Sequence, residues 1–254
     1  MSKFNNNPRV SIITPNLNGQ VFLEETIKSV LNQSYKNLEY IIVDGGSDDD
    51  SHKIIQKYKN KISKVLISND KSMYEAVHKG FLASSGEILA WINSDDLLFP
   101  KAIENSVEIM TKNNYAWING KYSYMKNKKI YSLPFPYYFP KKYIYNGKCH
   151  KCDYGFIPQE SVLFTRSLYF KSGFLDINLK YAGDFNLWKK FAKFENLNSV
   201  NIKIGIFRKR NNQLSENMDA YLAEVGIKNI PKKINFLRII YSIINFLFRL
   251  KIKK

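Results

Sequence analysis

Two adjacent acids close an unusual stretch, AWINSDDLLFP: the apolar run Ile88 to Ile92 gives way to Asn93, Ser94, Asp95 and Asp96 before Leu97 restores apolar character. Neighbouring carboxylates at the end of a buried strand suit a hard divalent cation such as Mn2+ or Mg2+, which takes oxygen ligands and shares them with phosphates. The same acids could instead cap the turn that follows. Asp44 ends a second apolar run, LEYIIVD, and Asp184 stands at the head of the helical pattern AGDFNLWKKFAKF, a position that also suits a helix N-cap. Cys149 and Cys152 flank His150 in a lone C-x-x-C. Without a second ligand pair, and with His52 and His78 as the other histidines, this pair reads as loop cysteines rather than a zinc site.

The elements that must position these acids are legible as an alternation. VSIIT (Val10 to Thr14) precedes a helix with Leu23, Ile27, Val30 and Leu31 on one face; LEYIIVD precedes a helix carrying Ile54, Ile55 and Tyr58. KVLI (Lys64 to Ile67), a helix with Met73, Ala76, Val77, Gly80 and Phe81, and EILAWI follow. Strands alternating with helices predict an α/β fold, with right-handed crossovers and a mostly parallel central sheet flanked by helices. Ligands bind at the carboxyl ends of such strands. Thr14, Pro15 and Asn16 end the first strand, Asp44 the second and Asn93 to Asp96 the fourth, so these ends are expected to share one crevice. Beyond about residue 115 the alternation fails, and YSLPFPYYFPKKYIYNGKCHKCDYGF reads as an irregular aromatic loop, either ordinary packing or a wall for a sugar.

The 254 residues are 44% hydrophobic, with 17 Tyr and 17 Phe, which excludes a disordered chain. The net charge of +17 implies an anionic partner, namely nucleic acid, anionic lipid or a phosphate-bearing small molecule, or else a composition bias spread over solvated faces. Much of the excess brackets the last segment. Asn235, Arg238, Ser242, Asn245 and Arg249 form a narrow polar stripe on an otherwise apolar helix flanked by Lys232, Lys233, Lys251, Lys253 and Lys254. That pattern suits a helix lying on an anionic membrane surface, with packing on protein or a span as alternatives. The expected division is a catalytic domain at 1–230 and a basic amphipathic membrane-associating helix at 231–254. MSKFNNNPRV has no apolar leader region and the cysteines make no disulfide framework, so residence on the cytoplasmic side is expected.

Three stretches, VSIITPNLNGQVFLEETIKSVLNQSYKNLEYIIVDGGSDD, NDKSMYEAVHKGFLASSGEILAWINSDDLL and GFIPQESVLFTRSLYFKSGFLDINLKYAGDFNLWKKFA, together resemble the family 2 glycosyltransferases of bacterial polysaccharide synthesis. T-P-N, D-G-G-S-x-D, N-S-D-D and G-D-F-N-L-W in this order carry the resemblance, which covers roughly residues 9 to 215. It implies a GT-A fold and inverting transfer of a sugar from a nucleotide diphosphate to an acceptor hydroxyl. By the same resemblance Thr14, Pro15 and Asn16 match the first nucleotide loop, Asp44 the acid that binds the base, and Asp70 and Lys79 the segment closing over the nucleotide. Asp95 matches a contact to ribose or donor sugar, Asp96 the metal ligand of the DxD site for Mn2+ or Mg2+, and Asp184 the catalytic base. Arg208, Lys209 and Arg210 match a later loop that folds over the diphosphate, or form a solvated face.

The chain departs from the family twice. Gln159 and Glu160 stand where many relatives show His-Gln, which puts the acceptor contact there in question, and Gly183 replaces the first acid of a Glu-Asp pair. Within that family the likeness is to O-antigen and capsule transferases. It implies transfer of glucose or galactose, β-1,3-linked, from a UDP-sugar to a lipid-diphosphate-linked GlcNAc at the cytoplasmic face of the inner membrane, without a nucleic-acid partner. Another donor, a protein or lipooligosaccharide acceptor, and a basic nucleic-acid-binding module stand as alternatives.

Overall fold

A computed structural model describes residues 4–150, 153–210 and 213–226. The amphipathic helix expected at 231–254 and Cys152 lie outside the described residues. The N-terminal part folds as its alternation predicts. β1 (Val10–Asn16) and β2 (Leu38–Asp44) are buried along almost their whole length, as strands covered on both faces must be. Between them α1 (Leu23–Leu31) turns Leu23, Ile27 and Val30 inward. The series continues with α2 (Ser51–Tyr58), β3 (Lys64–Ile67), α3 (Met73–Ala83) and β4 (Ile88–Trp91). β1 pairs in parallel with β2 and β4, and β2 with β3.

The second half adds β5 (Leu97–Leu98), α4 (Ala102–Asn113), β6 (Trp117–Lys121), β7 (Ser123–Lys126), β8 (Lys129–Ser132) and α5 (Lys141–Tyr145). Then come β9 (Val162–Thr165), α6 (Arg166–Lys171), α7 (Gly183–Phe194), β10 (Asn198–Lys203), β11 (Gly205–Arg208) and α8 (Met218–Glu224). The central sheet has seven strands in the order β10-β6-β9-β4-β1-β2-β3. Only β9 opposes its neighbours, being antiparallel to both β4 and β6. The chain enters β9 from the carboxyl edge without a crossover helix, so it must run back against the others. The sheet is therefore mixed, with the expected parallel majority.

A second sheet, β5-β11-β7-β8, sits beside this edge. Antiparallel pairing of Leu97 with Ile206 and Leu98 with Gly205 draws β11 alongside the chain leaving β4, and so brings Arg208 to the acidic pair.

Side chains alternating across the central strands feed two cores. Ile13, Ile41, Val43, Leu89 and Trp91 pack under α3, α6 and α7, while Ile12, Tyr40, Ile42, Ile88 and Ala90 pack under α1, α2 and α4. Trp188 of α7 stacks on Trp91 of β4, with ring centroids 5.7 Å apart. The helix that carries Asp184 is thus pinned to the strand that leads to Asp95 and Asp96. Phe139 and Tyr154 are fully buried in the same layer, so the aromatic segment serves as packing at these positions and contains the end of β8 and the short helix α5.

Candidate active site

The strand ends do converge. Parallel register sets Asn16 opposite Asp44. Asn16 Nδ2 donates to Asp44 Oδ2 at 2.6 Å and to Ser47 Oγ at 3.1 Å. Asp44 also accepts the backbone N–H groups of Gly46 (3.1 Å) and Ser47 (2.8 Å) on Oδ1, and the Ser47 hydroxyl on Oδ2 at 2.8 Å. The D-G-G-S-x-D turn is laced to the loop after β1 by Gln20 N–H to Asp49 Oδ2 (2.9 Å) and Asp48 N–H to Asn18 Oδ1 (3.0 Å). Asn16 Oδ1 is buried without a partner among the described residues, an acceptor left open in this corner. Pro15 is buried beside it.

The Thr14 side chain sits otherwise than its place in the nucleotide loop suggests. Its Oγ1 is buried and accepts the Tyr40 hydroxyl at 3.1 Å, because residues of a strand alternate between faces and this one turns inward. At the end of β3, Asp70 accepts Ser68 Oγ (2.8 Å) and pairs with Lys79 Nζ of α3 at 2.6 Å. That bond, with a second to Glu75, holds the Lys79 ammonium above its usual range.

Asp95 and Asp96 do not cap their own turn. Asp96 Oδ1 accepts the backbone N–H of Arg208 at 2.8 Å, and Asp95 Oδ2 pairs with Arg210 Nε at 2.7 Å. Arg208 is itself nearly buried. Its Nε donates to the Asp95 carbonyl at 2.7 Å, its Nη2 reaches Glu25 Oε2 at 2.5 Å, and its guanidinium lies 4.5 Å from the Phe22 ring centre. The Thr26 hydroxyl closes the other side, donating to the carbonyls of Ser94 (2.9 Å) and Asp96 (2.8 Å). Arg208 is therefore a clasp on the acidic turn, engaged with protein rather than open to a ligand, and Arg210 is the more exposed partner of Asp95.

Gln159 Nε2 donates to the Trp91 carbonyl at 2.7 Å, which fixes the turn before β9 to the end of β4. Glu160 follows and is 6% exposed, its backbone pressed so closely on Gly205 that a Cβ there would lie 2.0 Å from the Glu160 carbonyl oxygen. Glu160 Oε1 and Asp96 Oδ2 are both buried without a hydrogen-bond partner among the described residues. Burial first, then the charges of Asp95 and Glu160, push Asp96 well above the usual carboxylate range, against the Arg208 N–H. Burial, with the charge of Asp184, pushes Glu160 up to about 8. Asp95, Asp96, Glu160 and Asp184 thus form one electrostatically linked set of acids.

Such a set invites a cation. Asp96 Oδ2 is a hard oxygen without a hydrogen-bond partner among the described residues, which fits a divalent ion held by one carboxylate and completed by substrate phosphates and water. Among the described residues no cluster of three or more His, Cys, Asp or Glu forms a complete protein cage.

Asp184 is the second residue of α7; Ala182 precedes the helix, so Asp184 is not its N-cap. Its Oδ1 accepts the Phe185 N–H at 2.7 Å and the Tyr74 hydroxyl at 3.3 Å. The Tyr74 ring lies against Gly183, where a Cβ would meet ring carbons at 2.5 to 2.7 Å. Glycine in place of a second acid is thus a packing requirement of Tyr74. The loop before α7 is clamped by Glu224 of α8, whose carboxylate accepts the N–H groups of Lys180, Tyr181 and Ala182, each at 2.8 Å. Sequence reasoning missed Tyr74 and Glu224. Tyr74 sits on the inward face of an amphipathic helix, where an aromatic reads as core, and Glu224 belongs to no motif.

The family model for glycosyl transferase family 2 matches residues 11–169, more than half of the chain. The chain belongs to glycosyltransferase family 2. An uncharacterised glycosyltransferase of Rickettsia typhi is 33% identical over 195 residues, covering 73% of this chain and 59% of that protein. This chain therefore spans about three-fifths of the length of that relative. The Escherichia coli UDP-Glc:alpha-D-GlcNAc-diphosphoundecaprenol beta-1,3-glucosyltransferase WfgD is 27% identical over 193 residues, 76% of this chain and 73% of that protein. S. aureus TarS 1-349 in complex with UDP-GlcNAc superposes with a TM-score of 0.69 at 16% identity over 82% of this chain and 61% of its own. The mannosyltransferase PcManGT from Pyrobaculum calidifontis, in complex with GDP-Man and Mn2+, gives 0.64 at 16% identity over 89% of this chain and 67% of its own. These likenesses identify the fold as GT-A.

Proposed function

We propose that this family 2 chain is an inverting hexosyltransferase that moves glucose or galactose from a UDP-sugar to a lipid-diphosphate-linked GlcNAc, forming a β-1,3 linkage. The observation that carries the reading is the pairing of two acidic stations on one sheet edge. Asp95 and Asp96 follow β4, Asp184 opens α7, and the Trp91–Trp188 stack joins the two elements. The likeness to WfgD supports the choice of donor and acceptor.

In this mechanism Asn16 and Asp44 receive the uracil end of the donor, with Asp70 and Lys79 over it, and Asp95 faces its sugar. Asp96 would hold a divalent ion, which when bound would offset the negative charge that grows on the departing diphosphate. Arg210 exchanges its Asp95 contact for the diphosphate. Asp184 takes the proton from the acceptor hydroxyl as that oxygen attacks the anomeric carbon on the face opposite the diphosphate. The bond to the diphosphate oxygen breaks as the new glycosidic bond forms, so an α-linked donor gives a β-glycoside. Among the described residues no helix is long and apolar enough to cross a membrane. A peripheral position at the cytoplasmic face of the inner membrane, with the 231–254 segment on anionic lipid, belongs to the same proposal.

Transfer from UDP-glucose and UDP-galactose to a synthetic GlcNAc-diphosphate-lipid, with the product linkage determined by NMR, tests it. Asp96→Ala and Asp184→Asn should each abolish turnover; retention of near wild-type rates by either would overturn the assignment of that residue.

A further inference from the structure

We propose that Tyr74 is a positioning residue for the Asp184 carboxylate, holding through its hydroxyl the orientation from which Asp184 takes the acceptor's proton. This rests on the reading of Asp184 as the base.

The tyrosine is delivered by a rigid element. It is the second residue of α3, whose start is capped by Ser72 Oγ accepting the Glu75 N–H at 3.2 Å. Further along the helix, Gly80 allows such close approach that a Cβ there would lie 2.4 Å from the Ile13 side chain of β1. Tyr74 is 4% exposed, and its hydroxyl lies 3.3 Å from both Asp184 Oδ1 and the Tyr181 carbonyl. One phenolic proton is thus shared between the carboxylate and the loop that leads into it. Glu224 grips the same loop from the other side through three N–H groups. With the Phe185 N–H, the Tyr74 hydroxyl gives Asp184 Oδ1 two donors, which fix the plane of the carboxylate.

Burial, then the charge of Asp184, hold the Tyr74 phenol well above its usual range, so it remains a donor at any working pH. A donor to a carboxylate favours its ionised form, the form a base needs. The other titratable groups that act on Tyr74 or Asp184 are Tyr221 of α8 and Glu160 before β9, and Glu224 of α8 holds the loop that leads into α7. Substituting Tyr74 leaves all three in place.

Tyr74→Phe removes the hydroxyl and keeps the ring on Gly183. Compared with wild type in the transfer assay, it should lower kcat roughly tenfold, leave the donor KM unchanged, and move the acidic limb of the kcat–pH profile up by about one pH unit. Site-specific 3-fluorotyrosine at position 74, a stronger donor of nearly the same shape, should move the limb down, and tests the proposal even if the phenylalanine variant folds poorly. An unmoved limb in both variants would overturn the proposal, as would a fall in kcat that only tracks a fall in Tm. Full activity of Asp184→Asn would instead show that the base assignment itself is wrong, whatever Tyr74 does.

Discussion

Glu160→Gln should stabilise the folded protein in alkaline solution and leave it nearly unchanged in acid. The carboxyl is buried, its Oε1 lacks a partner among the described residues, and its titration rises from the ordinary 4.5 to about 8. A carboxyl raised on folding contributes stability that is fully present below its unfolded value and is lost as pH rises through its folded value. At about 1.36 kcal/mol per pH unit, the interval from 4.5 to about 8 corresponds to a loss of up to about 5 kcal/mol, of which about 3 has gone by pH 7. Glutamine has the shape of the protonated acid and no charge to bury, so the variant should not show this loss. Urea denaturation of wild type and variant at intervals from about pH 5 to about pH 9, in a chelating buffer, measures the difference directly. The two should be nearly equally stable at the acid end and diverge with rising pH, the variant being the more stable. A gap that does not change with pH, or a wild type that gains on the variant as pH rises, would refute the buried-acid account. The second result would mean that Glu160 is ionised and paired in the fold.

Asp96→Asn should abolish Mn2+ binding measured by electron paramagnetic resonance while leaving Tm within a few degrees, since the amide can still accept the Arg208 N–H. Gly183→Ala places a Cβ within 2.5 Å of the Tyr74 ring; it should cost about 1 to 3 kcal/mol in urea denaturation and lower kcat as ring and base are forced apart. Arg208→Ala loses a nearly buried clasp and should cost about 2 kcal/mol, whereas Arg210→Ala loses an exposed pair and should change stability by less than about 1 kcal/mol; paired urea curves separate them. Asp44→Asn turns an acceptor into a partial donor against Asn16, Gly46 and Ser47, and should weaken UDP binding by calorimetry together with a measurable loss of stability.

The residues that local chemistry governs were readable from the chain alone. Apolar runs with a period suited to covered strands marked β1, β2 and β4, which lead to Asn16, Asp44 and the acidic turn because polar groups must leave the sheet where its cover stops. The order of four short motifs was enough to indicate the family and the fold. Partners distant in sequence were another matter. Nothing near Asp95 and Asp96 announces that Arg208 and Arg210 hold them, because that contact depends on β11 pairing with β5. The aromatic segment after residue 131 looked irregular because its order comes from burial against α7 rather than from its own periodicity. Thr14 matched a nucleotide loop by motif, yet pairing with β2 decided that its hydroxyl meets Tyr40. Gly183 stands at an acid's place in the motif because the ring of Tyr74 occupies the space a side chain would need. Sequence thus determined which groups stand at the sheet edge, through propensity and hydrophobic period. Tertiary structure alone decided which acids are buried together and which donors orient them, because desolvation and hydrogen-bond geometry depend on neighbours far apart along the chain.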